Sequence, residues 1–174
     1  MTSHELHRRR APKKVNMAIV TVSTSRYEQK MRGEDYTDES GDILANGMLA
    51  KGYDVVCREL IRDDIGQIRS VLLALLNRND VDAILFCGGT GITKTDLTIE
   101  AVEPYLEKRL DGFAEIFRML SYQRVGSAAI LSRAIAGIAR EKLVVCIPGS
   151  PDAAKTALEL LADELPHIIY MARS

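Results

Sequence analysis

The stretch Val81-Asp82-Ala83-Ile84-Leu85-Phe86-Cys87-Gly88-Gly89-Thr90-Gly91-Ile92-Thr93-Lys94-Thr95-Asp96 decides the fold. Its first half, Val81 to Phe86, is a short apolar run that ends at a turn, the pattern of a strand. Three of the four residues from Gly88 to Gly91 are glycine. A turn so poor in Cβ atoms can bring backbone N–H groups up to an anion. Thr90, Thr93 and Thr95 add hydroxyls, Lys94 adds a countercharge, and Asp96 is close enough in the chain to hold a metal ion against the anion. Phosphoryl or nucleotidyl chemistry is the first expectation. A tight structural turn is the other reading, because the segment lacks both the Lys-Ser/Thr ending of a GxxxxGK loop and the GxGxxG spacing of a dinucleotide fold.

Working outward, Val15 to Val22 and Tyr53 to Leu60 read as strands. Between them Ile43, Leu44, Met48 and Leu49 have helical spacing, with Asp38 or Ser40 as the cap and Gly52 as the stop. Ile65, Ile68, Val71, Leu72, Leu75 and Leu76 form the face of a second helix, capped by Asp64. Ser23 to Thr37 reads as a polar loop. The alternation of strand and helix predicts parallel strands covered by helices, an α/β fold. Beyond the glycine turn, short helices are expected over Leu97 to Val102 and Ala128 to Leu131, and a longer one over Gly112 to Tyr122. Ala134 to Ala139 and Leu143 to Ile147 read as a hairpin. A last helix starts at Pro151, and Pro166 kinks or divides it.

The chain has 174 residues, 47% of them hydrophobic, and a formal net charge of -1. That suits one domain over residues 15–174 behind a flexible basic arm over residues 1–14. The charge gives no bulk attraction for nucleic acid, and the arm's Arg8 to Arg10 lack the interspersed aromatics of a nucleic-acid binder. No apolar stretch has the length of a membrane span, and no secretory signal pattern is present. Cys57, Cys87 and Cys146 lie in apolar runs without a CxxC pair, which reads as buried thiols in the reducing cytoplasm.

Three loops follow candidate strands: Ile61 to Asp64, Cys87 to Asp96, and Pro148 to Pro151. Open α/β sheets bind ligands at that edge. Asp63 and Asp96 are the acids of interest, since carboxylates suit Mg²⁺ bridging to phosphate; each also reads as a helix cap or a solvated acid. Ser40 reads as a cap or a rim hydroxyl, and Arg26, Arg32 and Arg133 as phosphate contacts or solvated cations. His4, His7 and His167 form no cluster, so neither a zinc site nor a Ser-His-Asp arrangement is expected.

Taken together, several segments resemble the molybdenum cofactor biosynthesis protein B family, within the wider molybdopterin-binding fold. These are Thr21-Val22-Ser23 with Asp38-Glu39-Ser40-Gly41, Gly88-Gly89-Thr90-Gly91 with Asp96, Phe113 to Tyr122, Leu131-Ser132-Arg133-Ala134-Ile135-Ala136-Gly137, and Pro148-Gly149-Ser150. The resemblance covers nearly everything from Val15 to the last helix.

The resemblance implies a three-layer α/β/α sandwich with a mostly parallel sheet, in a homo-oligomer that is a trimer or hexamer. It implies that molybdopterin and ATP are substrates, and that Mg-ATP adenylylates the pterin's terminal phosphate with release of pyrophosphate. A downstream metal-insertion protein would then load molybdate or tungstate. Asp63 and Asp96 match the two essential acids, as catalytic residues and as transient Mg²⁺ ligands. Ser40, Gly41, Gly88, Gly89, Thr90, Gly91, Ser132, Arg133, Pro148, Gly149 and Ser150 are the expected ligand contacts. The alternative within the resemblance is a non-catalytic molybdopterin carrier or scaffold.

Overall fold

A computed structural model of the chain describes residues 11–174. In chain order its elements are β1 (Asn16–Val22), α1 (Thr24–Met31), α2 (Glu39–Ala50), β2 (Asp54–Ile61), α3 (Ile65–Leu76), β3 (Ala83–Cys87), α4 (Thr98–Val102), β4 (Lys108–Arg109), α5 (Asp111–Val125), β5 (Ile135–Ala139), β6 (Lys142–Ile147), α6 (Pro151–Leu161) and α7 (Leu165–Ala172). Short 3₁₀ turns occupy Glu103–Tyr105 and Gly126–Leu131. Most of the expected basic arm lies outside the described residues.

Side-chain alternation along the strands sets the layers. Met17, Ile19, Leu85, Val145 and Ile147 are buried on one face of the sheet, with Leu44 and Met48 of α2, Phe117 of α5, Ala157 of α6 and Ile169 of α7. Ala18, Val20, Ile84, Phe86 and Cys146 are buried on the other, with Ile68 and Leu72 of α3 and Val102 of α4. Two apolar strand faces require two layers of helices, and the expected α/β/α sandwich results.

The six strands run in the order β2-β1-β3-β6-β5-β4. β2, β1, β3 and β6 are mutually parallel, while β5 and β4 add antiparallel to that edge. The chain passes from β1 outward to β2 and then returns to the other side of β1 as β3. Strand order therefore reverses between β1 and β3, leaving a crevice at their carboxyl ends. Val22, Cys87 and Ile147 all end at that edge.

Four local features bear on the sequence reading. Asp38, rather than Ser40, caps α2 through a 3.1 Å bond from the Gly41 N–H. Asp64 caps α3 through the Gln67 N–H at 2.8 Å, as expected. The Ser23 to Thr37 stretch is not all loop: it contains α1, capped by the Ser23 hydroxyl. None of the α1 residues is buried, so the helix leaves no apolar stripe in the sequence. Cys57 is half-exposed, because the β2 edge strand is incompletely covered, while Cys87 and Cys146 are buried as expected.

Candidate functional site

β3 delivers the chain into the glycine turn at the crevice. Gly88 and Gly89 have φ of 110° and 64°. A Cβ on Gly88 would lie 2.2 Å from the Val22 carbonyl oxygen, and one on Gly89 would lie 2.4 Å from Thr98 Oγ1 and 2.5 Å from Asp63 Oδ2. Glycine is needed at both positions for conformation and for space. The Pro148–Ser150 turn presses on the same place, since a Cβ on Gly149 would be 3.1 Å from Gly88 Cα.

The carbonyls of Gly88, Gly89 and Thr90 are all occupied. Gly88 O accepts from the Thr98 hydroxyl at 2.8 Å. Gly89 O accepts from the Thr98 N–H at 2.9 Å, and the Gly88 N–H donates to Ile147 O at 2.9 Å. Thr90 O accepts from Arg133 Nε at 3.0 Å. No acceptor among the described residues takes the N–H of Gly89 or Thr90. A turn with bound carbonyls and uncommitted amides presents positive potential, the polarity that an anion requires.

The two acids flank this turn. Asp63 Oδ1 accepts from the Leu97 N–H at 2.9 Å, and its own N–H donates to Thr24 Oγ1 at 3.1 Å. Burial pushes the Asp63 carboxyl up; the Leu97 bond opposes this, the charges of Asp96 and Glu100 add to it, and the net shift is upward from 3.8. Asp96 Oδ2 accepts from the Thr93 N–H at 2.9 Å and from the Thr93 hydroxyl at 2.6 Å. Burial works against ionisation of Asp96 as well, but the Thr93 and Gly91 donors and the Arg133 charge outweigh it, and the net shift is downward. A Cβ on Gly91 would fall 2.6 Å from Asp96 Oδ2. Asp63 thus lies against Gly89 and Asp96 against Gly91.

Two cavities open beside the turn. One, of about 430 Å³, is walled by Gly88 to Gly91, Asp96, Ser132 and Pro148 to Ser150, with apolar surface from Phe117, Val125 and Leu131. The Ser132 hydroxyl in that wall is buried and has no hydrogen-bond partner among the described residues. The other, of about 640 Å³, is lined by the polar residues Thr24, Arg62, Asp63, Asp64, Gln67 and Thr95.

Ser40, Gly41 and Arg133, expected to touch ligand, line neither cavity. They stand behind the walls instead. Ser40 Oγ donates to Gly149 O at 3.2 Å. Gly41 makes room for Asp38, whose Oδ2 would be 2.1 Å from a Cβ there. Arg133 is held by both carboxylate oxygens of Glu100 and by Thr90 O. Arg26, a candidate phosphate contact, lines the first cavity, while sequence reasoning missed Arg124, which lines it too, and Thr98. The signal for Thr98 was an uncharged polar residue between the apolar Leu97 and Ile99.

No group of three or more His, Cys, Asp or Glu among the described residues is arranged to hold a metal ion. Two carboxylates on either side of an anion-accepting turn fit a hard cation that takes its remaining ligands from phosphate and water, as Mg²⁺ does.

An open, largely parallel sheet carrying such a turn at its switch point defines an α/β protein that binds anionic ligands. The family model described as a probable molybdopterin binding domain matches residues 18–167. The chain belongs to that family. It is 42% identical over 157 residues to the probable molybdopterin adenylyltransferase of Methanocaldococcus jannaschii, covering 90% of this chain and 93% of that protein. It is 44% identical over 166 residues to molybdenum cofactor biosynthesis protein B of Bacillus anthracis, covering 94% of each. A crystal structure of a molybdenum cofactor biosynthesis protein B superposes with a TM-score of 0.84 at 43% identity, covering 94% of this chain and 98% of that one.

Proposed function

We propose that this protein is a molybdopterin adenylyltransferase of molybdenum cofactor biosynthesis. It transfers the adenylyl group of Mg-ATP to the terminal phosphate of molybdopterin. One observation carries the reading: the uncommitted amides of Gly89 and Thr90 belong to a turn in the first cavity's wall that has Asp63 against Gly89 and Asp96 against Gly91. The relatives named as molybdopterin adenylyltransferases, 42% and 38% identical to this chain, support it.

In this reading the mixed apolar and polar cavity takes the pterin, and the one lined by polar residues takes phosphate groups of the nucleotide. A phosphate oxygen of molybdopterin bonds to the α-phosphorus, the bond from that phosphorus to the bridging oxygen breaks, and pyrophosphate leaves. The attacking oxygen is already anionic, so the protein supplies orientation and charge screening and needs no strong base. The Gly89 and Thr90 amides hold phosphate oxygens. Asp63 and Asp96 would hold Mg²⁺, which when bound screens the charge gathered on those oxygens.

The proposal extends to a cytoplasmic homo-oligomer, a trimer or hexamer, that passes its product to a metal-insertion protein. The buried thiols of Cys87 and Cys146 fit a reducing compartment. Ile116, Met119, Tyr122 and Val125 are exposed along α5, a stripe that fits a subunit contact. No helix among the described residues is long and apolar enough to cross a membrane.

The test is incubation of the purified protein with molybdopterin, ATP and Mg²⁺, followed by separation of the products. Pyrophosphate and adenylylated pterin in equal amounts are expected. Tight pterin binding with no ATP consumed would leave the carrier reading instead.

A further inference from the structure

Thr98 has no role in the chemistry just described, yet it is completely buried and both of its donors end on the glycine turn. Its hydroxyl holds Gly88 O at 2.8 Å and its N–H holds Gly89 O at 2.9 Å. A trans peptide is planar, so its C=O and N–H point in opposite directions. Fixing Gly88 O toward Thr98 therefore turns the Gly89 N–H away from Thr98, and fixing Gly89 O turns the Thr90 N–H likewise. The turn's other bonds, Gly88 N–H to Ile147 O and Arg133 Nε to Thr90 O, hold the peptides on either side of these two. Gly88 and Gly89, both at positive φ, lack the Cβ that would make other orientations costly.

We infer that Thr98 is a positioning residue whose hydroxyl sets the orientation of the Gly88–Gly89 peptide, and through it the affinity of the site for phosphate. The inference rests on the proposed function only in taking phosphate as the ligand. Removal of the hydroxyl leaves the Gly88 carbonyl buried beside an apolar side chain. An unpaired buried carbonyl is unfavourable, and the peptide relieves this by rotating its oxygen toward the cavity, where it repels an anion. The Leu97 N–H bond to Asp63 is one residue away and places the acid separately. Thr98 thus acts on the cradle rather than on the acids.

The test compares wild type, Thr98→Val and Thr98→Ser, using inorganic pyrophosphate as the probe. Valine keeps the shape of threonine without the donor, and serine keeps the donor. Calorimetry measures affinity, and ¹⁵N-resolved NMR follows the Gly89 and Thr90 amides. Thr98→Val is expected to bind pyrophosphate about tenfold more weakly, the effect of one hydrogen bond, with both amide resonances displaced in the free protein. Thr98→Ser is expected to bind within about threefold of wild type, less than half the free energy of such a bond. If Thr98→Val folds with wild-type amide shifts and wild-type affinity, the positioning role is wrong, while a wild type that adenylylates molybdopterin keeps the proposed function. If the wild type itself binds no pyrophosphate, the phosphate cradle is wrong and this inference falls with it. Should the valine variant unfold, Thr98→Ala in the presence of a stabilising osmolyte gives the same two readouts, and unchanged shifts and affinity there overturn the inference equally.

Discussion

Asp63 Oδ1 accepts a 2.9 Å hydrogen bond from the backbone N–H of Leu97. Leu97 is the residue between Asp96 and Thr98, so one short segment carries an acid, anchors the other acid and grips the turn between them. Movement of this segment would shift both carboxylates together. The fold thereby couples two loops that follow different strands, β2 and β3, and it does so at the edge where strand order reverses.

Replacement of either acid by its amide is expected to reduce adenylylation strongly. Asp63→Asn and Asp96→Asn keep size and most hydrogen bonding but remove charge from the reacting centre. A fall in kcat of about 100-fold or more is expected for each, the scale on which loss of one electrostatic partner acts in a preorganised site. Pyrophosphate release measures it, and wild-type turnover in either variant would remove that residue from the mechanism.

The same two variants should differ in stability. The folded protein holds the Asp63 carboxyl above its ordinary value, so the protonated form is the one that folding favours. That contribution is fully present below pH 3.8 and is lost as pH rises through the folded value. Ionised Asp63 is therefore unfavourable at neutral pH, and Asp63→Asn is expected to raise Tm there. Asp96 is shifted the other way. Its contribution is present above pH 3.8 and is lost as pH falls through its lower folded value. Asp96→Asn is expected to lower Tm at neutral pH. Thermal melts from neutrality to about pH 3 should show both differences from wild type shrinking with acid.

Gly89→Ala is expected to damage the site and the fold together. The new Cβ would sit at a φ of 64°, 2.4 Å from Thr98 Oγ1 and 2.5 Å from Asp63 Oδ2. A loss of about 1–3 kcal/mol of stability is expected from strain at such a position, with adenylylation falling further than the folded fraction. Denaturant melts beside the activity assay separate the two effects.

The β5–β6 hairpin offers a gain. Its turn residues, Arg140 and Glu141, have φ of 47° and 61°, conformations that suit glycine and asparagine. Arg140 is tied down by its N–H to Glu107 at 2.8 Å. Glu141→Gly is expected to stabilise the protein by about 1 kcal/mol, read as a higher Tm with unchanged adenylylation. An unchanged or lower Tm would show that the left-handed conformation of Glu141 is not costly here.

Much of this architecture is legible in the chain before folding. The apolar runs at Val15 to Val22, Val81 to Phe86 and Leu143 to Ile147 announce buried strands, because residues with no solvated face need no polar alternation. Asp64 and Pro151 mark helix starts by local chemistry that needs no tertiary partner. α1 was hidden because it buries nothing, and β4 because the side chains of Lys108 and Arg109 are exposed and only their backbone joins the sheet.

Within the site, glycines and acids could be picked out by type, but their tasks could not. Ser40, Gly41 and Arg133, expected as ligand contacts, meet Gly149 O, Asp38 and Thr90 O in the folded chain, and a hydroxyl or guanidinium reads the same in sequence whether its partner is a phosphate or a carbonyl. Continuous apolar runs alternating with helical spacing, and the crowding of glycine after β3, were enough to specify a helix-covered parallel sheet with an anion-accepting turn, because both are properties of neighbouring residues. The cavity that each acid faces, and the direction of the Gly89 and Thr90 amides, emerged only once Leu97 and Thr98 had been brought against Asp63 and the turn. Those hydrogen bonds join separate loops, and only packing of the strands beneath brings their ends together.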